Sequence, residues 1–254
     1  MKRIIVLFLV LALTACDKED LYSDLGELSG SGVIEIGTHN VSGVIGEVFT
    51  KYIYTTAPNG GRIEIFGTSG VTDDQMNYAR EILVQYLTKE GAVYKIQHKE
   101  IIANSMTNKR SALVFFDTEE QYNDNIDKVQ KAGYNVQDLY ATESLGSIEG
   151  DGSYEEILHL VHNYGIAPTL FNYQNKLQKA NDDAISKGLY NPNGDDFPEA
   201  DFDDEYFAEI MNCFLGLGSN EEEYKPSTRA EMQTQDPAGY QLILDLFGDI
   251  QLVR

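Results

Sequence analysis

The stretch SYEEILHLVHNYGI, which begins at Ser153, brings together carboxylate and imidazole side chains that could act on the same chemistry. At about 100° per residue, a helix places Glu155, His159 and His162 within about 60° of one another. Glu156 borders this polar stripe, and apolar residues fill most of the remaining circumference. Imidazole nitrogens and carboxylate oxygens bind divalent metals, and a carboxylate beside a metal can take a proton from water. The spacing therefore predicts a metal or acid–base site.

A second predicted helix, DEYFAEIMNCFLGLG from Asp204, repeats this pattern. Glu205, Glu209 and Asn212 share one face, and most other positions are apolar. A helix that is apolar nearly all round is mostly buried, so its narrow acidic stripe needs a partner.

Both stretches lack nearby basic residues, since no lysine or arginine occurs at positions 132–175 or 188–224. A metal ion, or a histidinium facing glutamates, would satisfy both polar stripes. Each stripe alone also fits an ordinary amphipathic helix whose polar side is solvated. The residues leave these alternatives open.

The N-terminal half shows the elements that would support such a site. Asn59-Gly60-Gly61 predicts a hairpin turn, Thr72 or Asp73 caps a helix, and a helix capped by Thr118 ends near Gly133. Runs rich in β-branched and aromatic residues predict strands at Gly32–Ile36, Lys51–Thr56, Arg62–Gly67, Ser111–Thr118 and Tyr134–Thr142.

The C-terminal half is helical in pattern. Helices are predicted near Ser153–Asn163, Leu170–Lys187, Asp203–Leu217 and Pro237–Phe247. The expected fold class is α+β, with a mixed α/β N-terminal half and a mostly helical C-terminal half. We expect a single domain over residues 32–254, with its small α/β part at about 32–150 and its helical part at about 151–254.

The N-terminus resembles the signal peptides of bacterial lipoproteins. A basic start precedes the apolar core Ile4–Leu13, which is too short for a mature membrane-spanning helix. Leu13-Thr14-Ala15-Cys16 resembles a lipobox, which implies removal of residues 1–15 and attachment of lipid to Cys16. Residues 16–31 are expected to form a flexible tether to a bacterial cell-envelope membrane. The sequence does not indicate which membrane. The alternative is an ordinary secretory signal.

The composition limits the partners. Asp and Glu number 41 against 19 Lys and Arg, a net charge of −22, which argues against nucleic acid. With Cys16 assigned to lipid, Cys213 is alone in an apolar context and is expected to be buried. Any metal would therefore be held by nitrogen and oxygen ligands.

The C-terminal half resembles the gluzincin zinc peptidases, and among them the lethal-factor-like domain. In that family one helix carries H-E-x-x-H, and a later helix carries a glutamate ligand followed by two aromatics, alanine and glutamate. Glu205-Tyr206-Phe207-Ala208-Glu209 matches the second pattern throughout, whereas a glutamate replaces the first histidine of the first. The resemblance covers about residues 110–248 and implies a zincin-like fold with zinc as cofactor.

The resemblance also implies roles for individual residues. Three metal ligands are implied: Glu155, His159 and Glu205. Glu156 takes the place of the general base, and Glu209 stands behind the third ligand, one layer outside the metal. His162 follows the motif and is an alternative nitrogen ligand.

The replacement of the first histidine by a glutamate leads to two functional hypotheses, one without and one with catalysis. One nitrogen and two charged oxygens are a harder ligand set, which lowers Lewis acidity. The expected function is a cell-envelope lipoprotein with a zincin-like fold, degenerate at the metal site, that binds a peptide or protein partner. The alternative is an active zinc metallopeptidase with Glu156 as general base.

The family's oxyanion tyrosine has its nearest counterpart in Phe197, with Tyr190 and Tyr206 as substitutes. A third hypothesis, a structural lipoprotein without a site, requires that the ligand side chains do not converge.

Overall fold

The computed structural model describes residues 34–35, 43–145, 151–192, 198, 201–218 and 222–253. The predicted signal peptide at 1–15, the tether at 16–31, the lipid attachment at Cys16 and the family counterpart Phe197 lie outside these residues. Within them the fold is α+β, as the sequence predicts.

A mixed β-sheet organises the N-terminal half, with its strands in the order β1-β2-β3-β4-β5. The first three strands are antiparallel neighbours, whereas β4 runs parallel to β3 and β5 runs parallel to β4. The turn between β2 and β3 contains Gly60 at φ +81°, a left-handed conformation that glycine adopts without strain. The strands are β1 (Ile34–Glu35), β2 (Lys51–Thr56), β3 (Arg62–Gly67), β4 (Ser111–Phe116) and β5 (Asn135–Tyr140).

The helices of the described residues connect the strands and build the C-terminal half. They are α1 (Gly43–Val48), α2 (Asp73–Thr88), α3 (Ile96–Asn108), α4 (Glu119–Lys131), α5 (Ser153–Val161), α6 (Phe171–Ser186), α7 (Phe202–Leu215), α8 (Arg229–Gln235) and α9 (Pro237–Phe247). Thr72 caps α2, since its hydroxyl accepts from Gln75 N while the Gln75 side chain accepts from Thr72 N. None of these described helices combines the length and apolar character needed to cross a membrane.

Strand β4 is buried on both faces, which explains its continuous apolar sequence SALVFF. Leu113 and Phe115 point into the larger core, which α2, α3 and the C-terminal helices complete. Val114 and Phe116 point into a smaller core, which α1 and α4 cover. The two sets alternate along the strand, as side chains of a strand must.

Helix α5 carries the Glu/His stretch and packs against both β5 and α7. Beyond Val161 the backbone widens into a π-helical segment, His162–Ile166, which ends where Ala167 N donates to His162 O at 2.9 Å. Gly165 lies so close to α3 that an added Cβ would come within 2.6 Å of the Ile102 side chain. The predicted helix therefore ends early, in a π-helical turn of the kind that is frequent at functional sites.

Most predicted strands and helices are confirmed, with small shifts at their ends. Cys213 is a free, buried cysteine, as predicted. The patterns miss α1, α3 and α8. α1 and α8 are short, and α3 places the fully buried Lys99 on the same face as Ile102 and Met106, which interrupts its apolar stripe.

Candidate metal centre

Two adjacent helices place the predicted ligands. Helix α5 begins at Ser153, whose backbone N donates to Asp151 Oδ1 at 3.0 Å. Glu155 and His159 lie one turn apart on α5, and Glu205 lies in the first turn of α7. Because α5 packs directly on α7, these three side chains face one another.

The three predicted ligands converge. One ligand atom from each of Glu155, His159 and Glu205 lies within 4.8 Å of the others. His159 Nε2 is 3.9 Å from Glu155 Oε1 and 3.6 Å from Glu205 Oε2. A tetrahedral ion with bonds of about 2.0–2.1 Å needs ligand atoms about 3.3 Å apart, so modest side-chain movements would complete the coordination. The group could therefore hold a metal ion. The third hypothesis, a structural lipoprotein without a site, requires that the ligand side chains do not converge, and these three do converge.

Asp204 lies behind His159. His159 Nδ1 is 3.0 Å from Asp204 Oδ1, which is close enough for an ion pair, although the angle leaves Nδ1 without a well-directed hydrogen bond. Burial opposes a charge on His159, but Asp204 and then Glu155 and Glu205 raise its pKa well above the usual range. Metal-binding histidines commonly present their second nitrogen to a carboxylate in this way. Nε2 is the nitrogen that faces the other two predicted ligands.

His162 lies outside the group of three. Its Nδ1 is 2.6 Å from Asp204 Oδ1, and its Nε2 is 2.7 Å from Gln174 Oε1. The ring packs edge to face against Phe207 at 5.3 Å. Both ring nitrogens therefore have partners other than the predicted ligands, and His162 contacts the carboxylate behind His159.

Glu156, the predicted general base, lies beside the group. Gln137 Nε2, on β5, donates to Glu156 Oε2 at 2.6 Å. Burial raises the pKa of Glu156 to about 8, against the attraction of His159. The carboxylate is thus hydrogen-bonded to the edge strand of the sheet, and Glu156 is not one of the three converging ligands.

Asn212 and Glu209 extend the site along α7. Asn212 Nδ2 donates to Glu155 Oε2 at 3.0 Å, whereas Asn212 Oδ1 and Glu209 Oε2 are buried without a hydrogen-bond partner. Burial raises the pKa of Glu209 to about 8, and repulsion from Glu155 adds to it. Burial also raises the pKa of Glu205 to about 7, against the attraction of His159.

The site is rich in carboxyl groups. Among the described residues, no lysine or arginine forms an ion pair with its carboxylates. Three of them, Glu155, Asp204 and Glu205, pair with His159, and Asp204 also pairs with His162. The carboxylates are Glu155, Glu156, Asp204, Glu205 and Glu209. A divalent cation would supply the positive charge that such a buried cluster needs.

The tyrosines that could substitute for the family's oxyanion donor lie in the core. Tyr206 is fully buried, and its hydroxyl donates to Asp236 Oδ2 at 2.6 Å. Tyr190 is also buried, and its ring packs on Tyr206 at 5.5 Å. Tyr206 therefore uses its hydroxyl in a structural hydrogen bond, away from the role that the resemblance implies.

The sequence patterns single out neither Asp204 nor Gln174. A signal for Asp204 exists, because it directly precedes Glu205 in an acidic first turn. Gln174 and Gln137 come from other elements, α6 and β5, and no local pattern marks them as neighbours of α5. Their positions depend on tertiary packing alone.

Compared with known proteins, the chain matches no family model, no curated protein and no solved structure. The resemblance to gluzincins therefore stays a prediction carried by the two motifs. The converging Glu155, His159 and Glu205 are the feature from which a function can be argued.

Proposed function

We propose that this protein binds one divalent metal ion through Glu155, His159 and Glu205, and that it acts by binding rather than by turnover. The supporting observation is that three ligand atoms lie within 4.8 Å, while Asp204 stands behind His159. Zinc is the first candidate because it accepts imidazole and carboxylate together. The two carboxylates also admit a harder ion such as Mn²⁺.

The ligand set supports binding over turnover. Two carboxylates donate more negative charge to an ion than two imidazoles do, so the ion polarises a carbonyl less strongly. Tyr206, one of the two tyrosines that could substitute for the family's oxyanion donor, is hydrogen-bonded to Asp236 in the core. The proposed partner is a peptide or protein, since the net charge of −22 disfavours nucleic acid.

The cellular setting is also a proposal, drawn from the sequence. A lipid on Cys16 would anchor the protein to a bacterial cell-envelope membrane, with residues 16–31 as tether. The zincin-like character of the C-terminal half is proposed from the motif residues, of which Glu205-Tyr206-Phe207-Ala208-Glu209 is the most specific.

A second candidate function is a divergent zinc metallopeptidase, and the position of Glu156 favours it. Glu156 lies next to the ligand cluster, and Gln137 holds one of its oxygens at 2.6 Å. Zinc would supply Lewis acidity at such a site. In this function Glu156 would be the carboxylate that takes a proton from an attacking water.

Metal titration of the full chain, purified in detergent, tests the proposal. After treatment with a chelator, the protein is titrated with Zn²⁺ and Mn²⁺ in competition with a chromophoric chelator, and the bound metal is counted by elemental analysis. We expect one ion per chain, and at least tenfold weaker binding in Glu155→Gln and Glu205→Gln. Glu100→Gln, the same change at an exposed position of α3, is the control.

The outcome separates the candidates. Metal binding below one ion per chain, or equal binding by Glu205→Gln and the control, refutes the proposed site. Glu156→Gln is expected to retain metal. If the wild type cleaves a casein substrate and Glu156→Gln does not, the peptidase function replaces the binding function.

A further inference from the structure

The edge of the sheet at which the parallel strands β3, β4 and β5 begin carries a group of basic side chains. Arg62 is the first residue of β3, and Arg110 directly precedes β4. The guanidinium carbon of Arg62 lies 4.2 Å from the centre of the Tyr54 ring, and that of Arg110 lies 4.5 Å from the centre of the Tyr134 ring. Such cation–π contacts hold both arginines in place on the sheet. Together with the lysine before Arg110 and two lysines in the last turn of α4, they form a group that we call the basic edge: Arg62, Lys109, Arg110, Lys128 and Lys131.

A buried carboxylate lies next to the two arginines. Glu64 is only 4% exposed and accepts a hydrogen bond from the Tyr52 hydroxyl at 3.0 Å. Burial raises the pKa of Glu64 overall, although the attraction of Arg110 and Arg62 lowers it. One carboxylate can balance at most one of the two guanidinium charges. The basic edge therefore keeps an excess of positive charge whether or not Glu64 is ionised.

Arg110 has a backbone conformation that is unusual for a residue with a side chain. It follows the C-cap of α3 and has φ +52°, at a position where helices usually carry glycine. A Cβ on Gly133 would come within 3.1 Å of Arg110 Nη1, so this glycine leaves room for the guanidinium. Arg110 and Lys109 are exposed, and no carboxylate of the described residues lies within ion-pair distance of either. Both cations can therefore accept a negatively charged partner.

The chain itself contains an acidic segment that complements the basic edge. Residues 17–27, DKEDLYSDLGE, hold five carboxylates and one lysine, a net charge of −4. They lie outside the part of the chain that the structure describes. Opposite charge makes this segment a candidate occupant of the basic edge.

The register of β1 places this segment within reach. Ile34 pairs with Tyr52 in an antiparallel ladder, and Thr56, at the far end of β2, pairs with Arg62. Arg62 therefore lies four residues along and two strands across from Ile34, or about 16 Å at about 3.3 Å per residue and about 4.8 Å per strand. The seven residues from Glu27 to Ile34 can span up to about 23 Å, which is enough to reach Arg62. A segment linked by so few residues has a local concentration on the order of millimolar, so weak contacts between surface charges suffice.

We propose that the acidic segment, residues 17–27, docks on the basic edge of its own chain through charge–charge contacts with the arginines and lysines of that edge. Docking covers the edge, so an acidic peptide from another protein must displace the segment before it can bind there. The inference goes beyond the proposed function and holds whether or not the metal site does, because the basic edge contains none of the proposed ligands.

Carbodiimide cross-linking of the full chain in detergent tests the docking, because it joins a carboxylate to a lysine only where the two are in contact. Peptide mass spectrometry should find residues 17–27 joined to the three lysines of the basic edge at least about tenfold more often than to Lys176 and Lys187, two exposed lysines of the C-terminal half. The preference should disappear in about 1 M salt, where charges are screened over about 3 Å. Equal labelling of both groups of lysines overturns the proposal. Linkage that is mainly between a nitrogen-15-labelled copy and an unlabelled copy also overturns it, since the occupant is then a second copy.

A fluorescent peptide with the sequence of residues 17–28 gives a second readout. In the full chain, the triple change Asp20→Asn/Asp24→Asn/Glu27→Gln removes charge from the segment at positions outside the described fold. The peptide should bind this variant at least about tenfold more tightly than the wild type, whose basic edge is already occupied. Adding Arg110→Gln to the triple variant should weaken the binding at least about fivefold, whereas adding Lys187→Gln, the loss of an exposed charge elsewhere, should change it less than about twofold.

The peptide experiment also decides between occupants. Equal binding to the wild type and to the triple variant overturns the proposal, and this comparison stands even if Arg110→Gln does not fold. A membrane surface is the alternative occupant. If phosphatidylglycerol vesicles bind the wild type but not Arg110→Gln, while the peptide binds neither the wild type nor the triple variant, the membrane is the partner of the basic edge and the proposal is overturned.

Discussion

Glu205→Gln should stabilise the metal-free protein at pH 8, although it removes a proposed metal ligand. The Glu205 side chain is 21% exposed and lies near Glu155 and Asp204, with His159 as its cationic neighbour. Glutamine has nearly the same shape and carries no charge. The substitution therefore removes the cost of holding a carboxylate in this cluster and leaves the packing largely unchanged.

The magnitude follows from the pKa of Glu205, which burial raises from 4.5 to about 7. The folded state holds this proton more tightly than the unfolded state, so the cost is absent below pH 4.5, grows with pH and is complete above about pH 7. The difference corresponds to about 3 kcal/mol at about 1.4 kcal/mol per pH unit. Neighbouring carboxylates share protons with Glu205, so we expect a net gain of about 1–3 kcal/mol at pH 8.

Urea unfolding in the presence of a chelator measures this gain at pH 5 and pH 8. The stability difference between Glu205→Gln and wild type at pH 8 is compared with the same difference at pH 5, which cancels contributions from other titrating groups. Glu100→Gln, at an exposed position, should change stability by less than about 0.5 kcal/mol at either pH. Zinc at about 100 times its wild-type dissociation constant should reduce this gain, since it adds about 2.7 kcal/mol to the wild type and less to Glu205→Gln, which is expected to bind zinc at least tenfold more weakly.

Two results would refute the reasoning. One is a Glu205→Gln protein that is no more stable than wild type at pH 8 in chelator. The other is an equal gain at both pH values, which would mean that packing rather than charge is responsible. Either result would remove the argument that the site needs a cation.

Three further predictions concern other parts of the molecule. Asp236→Ala should lower the free energy of unfolding, measured with urea, by about 3 kcal/mol or more. The change leaves the buried hydroxyls of Tyr206 and Tyr224 without an acceptor and removes the cap of α9. A loss below about 1 kcal/mol would contradict this prediction. Burial lowers the pKa of Lys99, so the unfolded state binds the lysine proton more tightly than the folded state does. The free energy of unfolding of the wild type should therefore rise between pH 8 and pH 10 relative to that of Lys99→Met. Parallel pH profiles of the two proteins would disprove the lowered pKa. Glu155→His should shift metal preference toward Zn²⁺ over Mn²⁺ in competition titrations, and an unchanged ratio would argue against Glu155 as a ligand.

The elements with clear local signals are those that the sequence predicts. β2, β3 and α9 have the predicted bounds, because alternation, turn residues and an N-terminal proline mark them. α3 is missed because its buried face includes Lys99, which donates to the Tyr86 carbonyl near the end of α2. Hydrophobic periodicity treats every lysine as solvent-exposed, so it cannot identify a lysine that is buried against the end of another helix.

The candidate site is likewise only partly predictable from the sequence. Glu155 and His159 share a face by helical spacing, so their proximity is predictable, and the second motif adds Glu205. The hydrogen-bonding neighbours are not predictable, because Gln174 reaches His162 from another helix and Gln137 reaches Glu156 from a strand. Spacing defines which side chains share a face, whereas the packing of α5 between β5 and α7 decides what those side chains meet.

The glutamate at the position where the family pattern has a histidine is supported as a ligand would be. Asn212 donates to Glu155 Oε2 at 3.0 Å, which leaves Oε1 turned toward His159 Nε2. Burial raises the pKa of Glu155, but the neighbouring His159 and the hydrogen bond from Asn212 lower it overall, so this carboxylate is ionised. A position that had merely lost its ligand would have no need of an amide donor on the neighbouring helix. Glu155 therefore fits a metal site whose harder donors favour holding an ion over activating water.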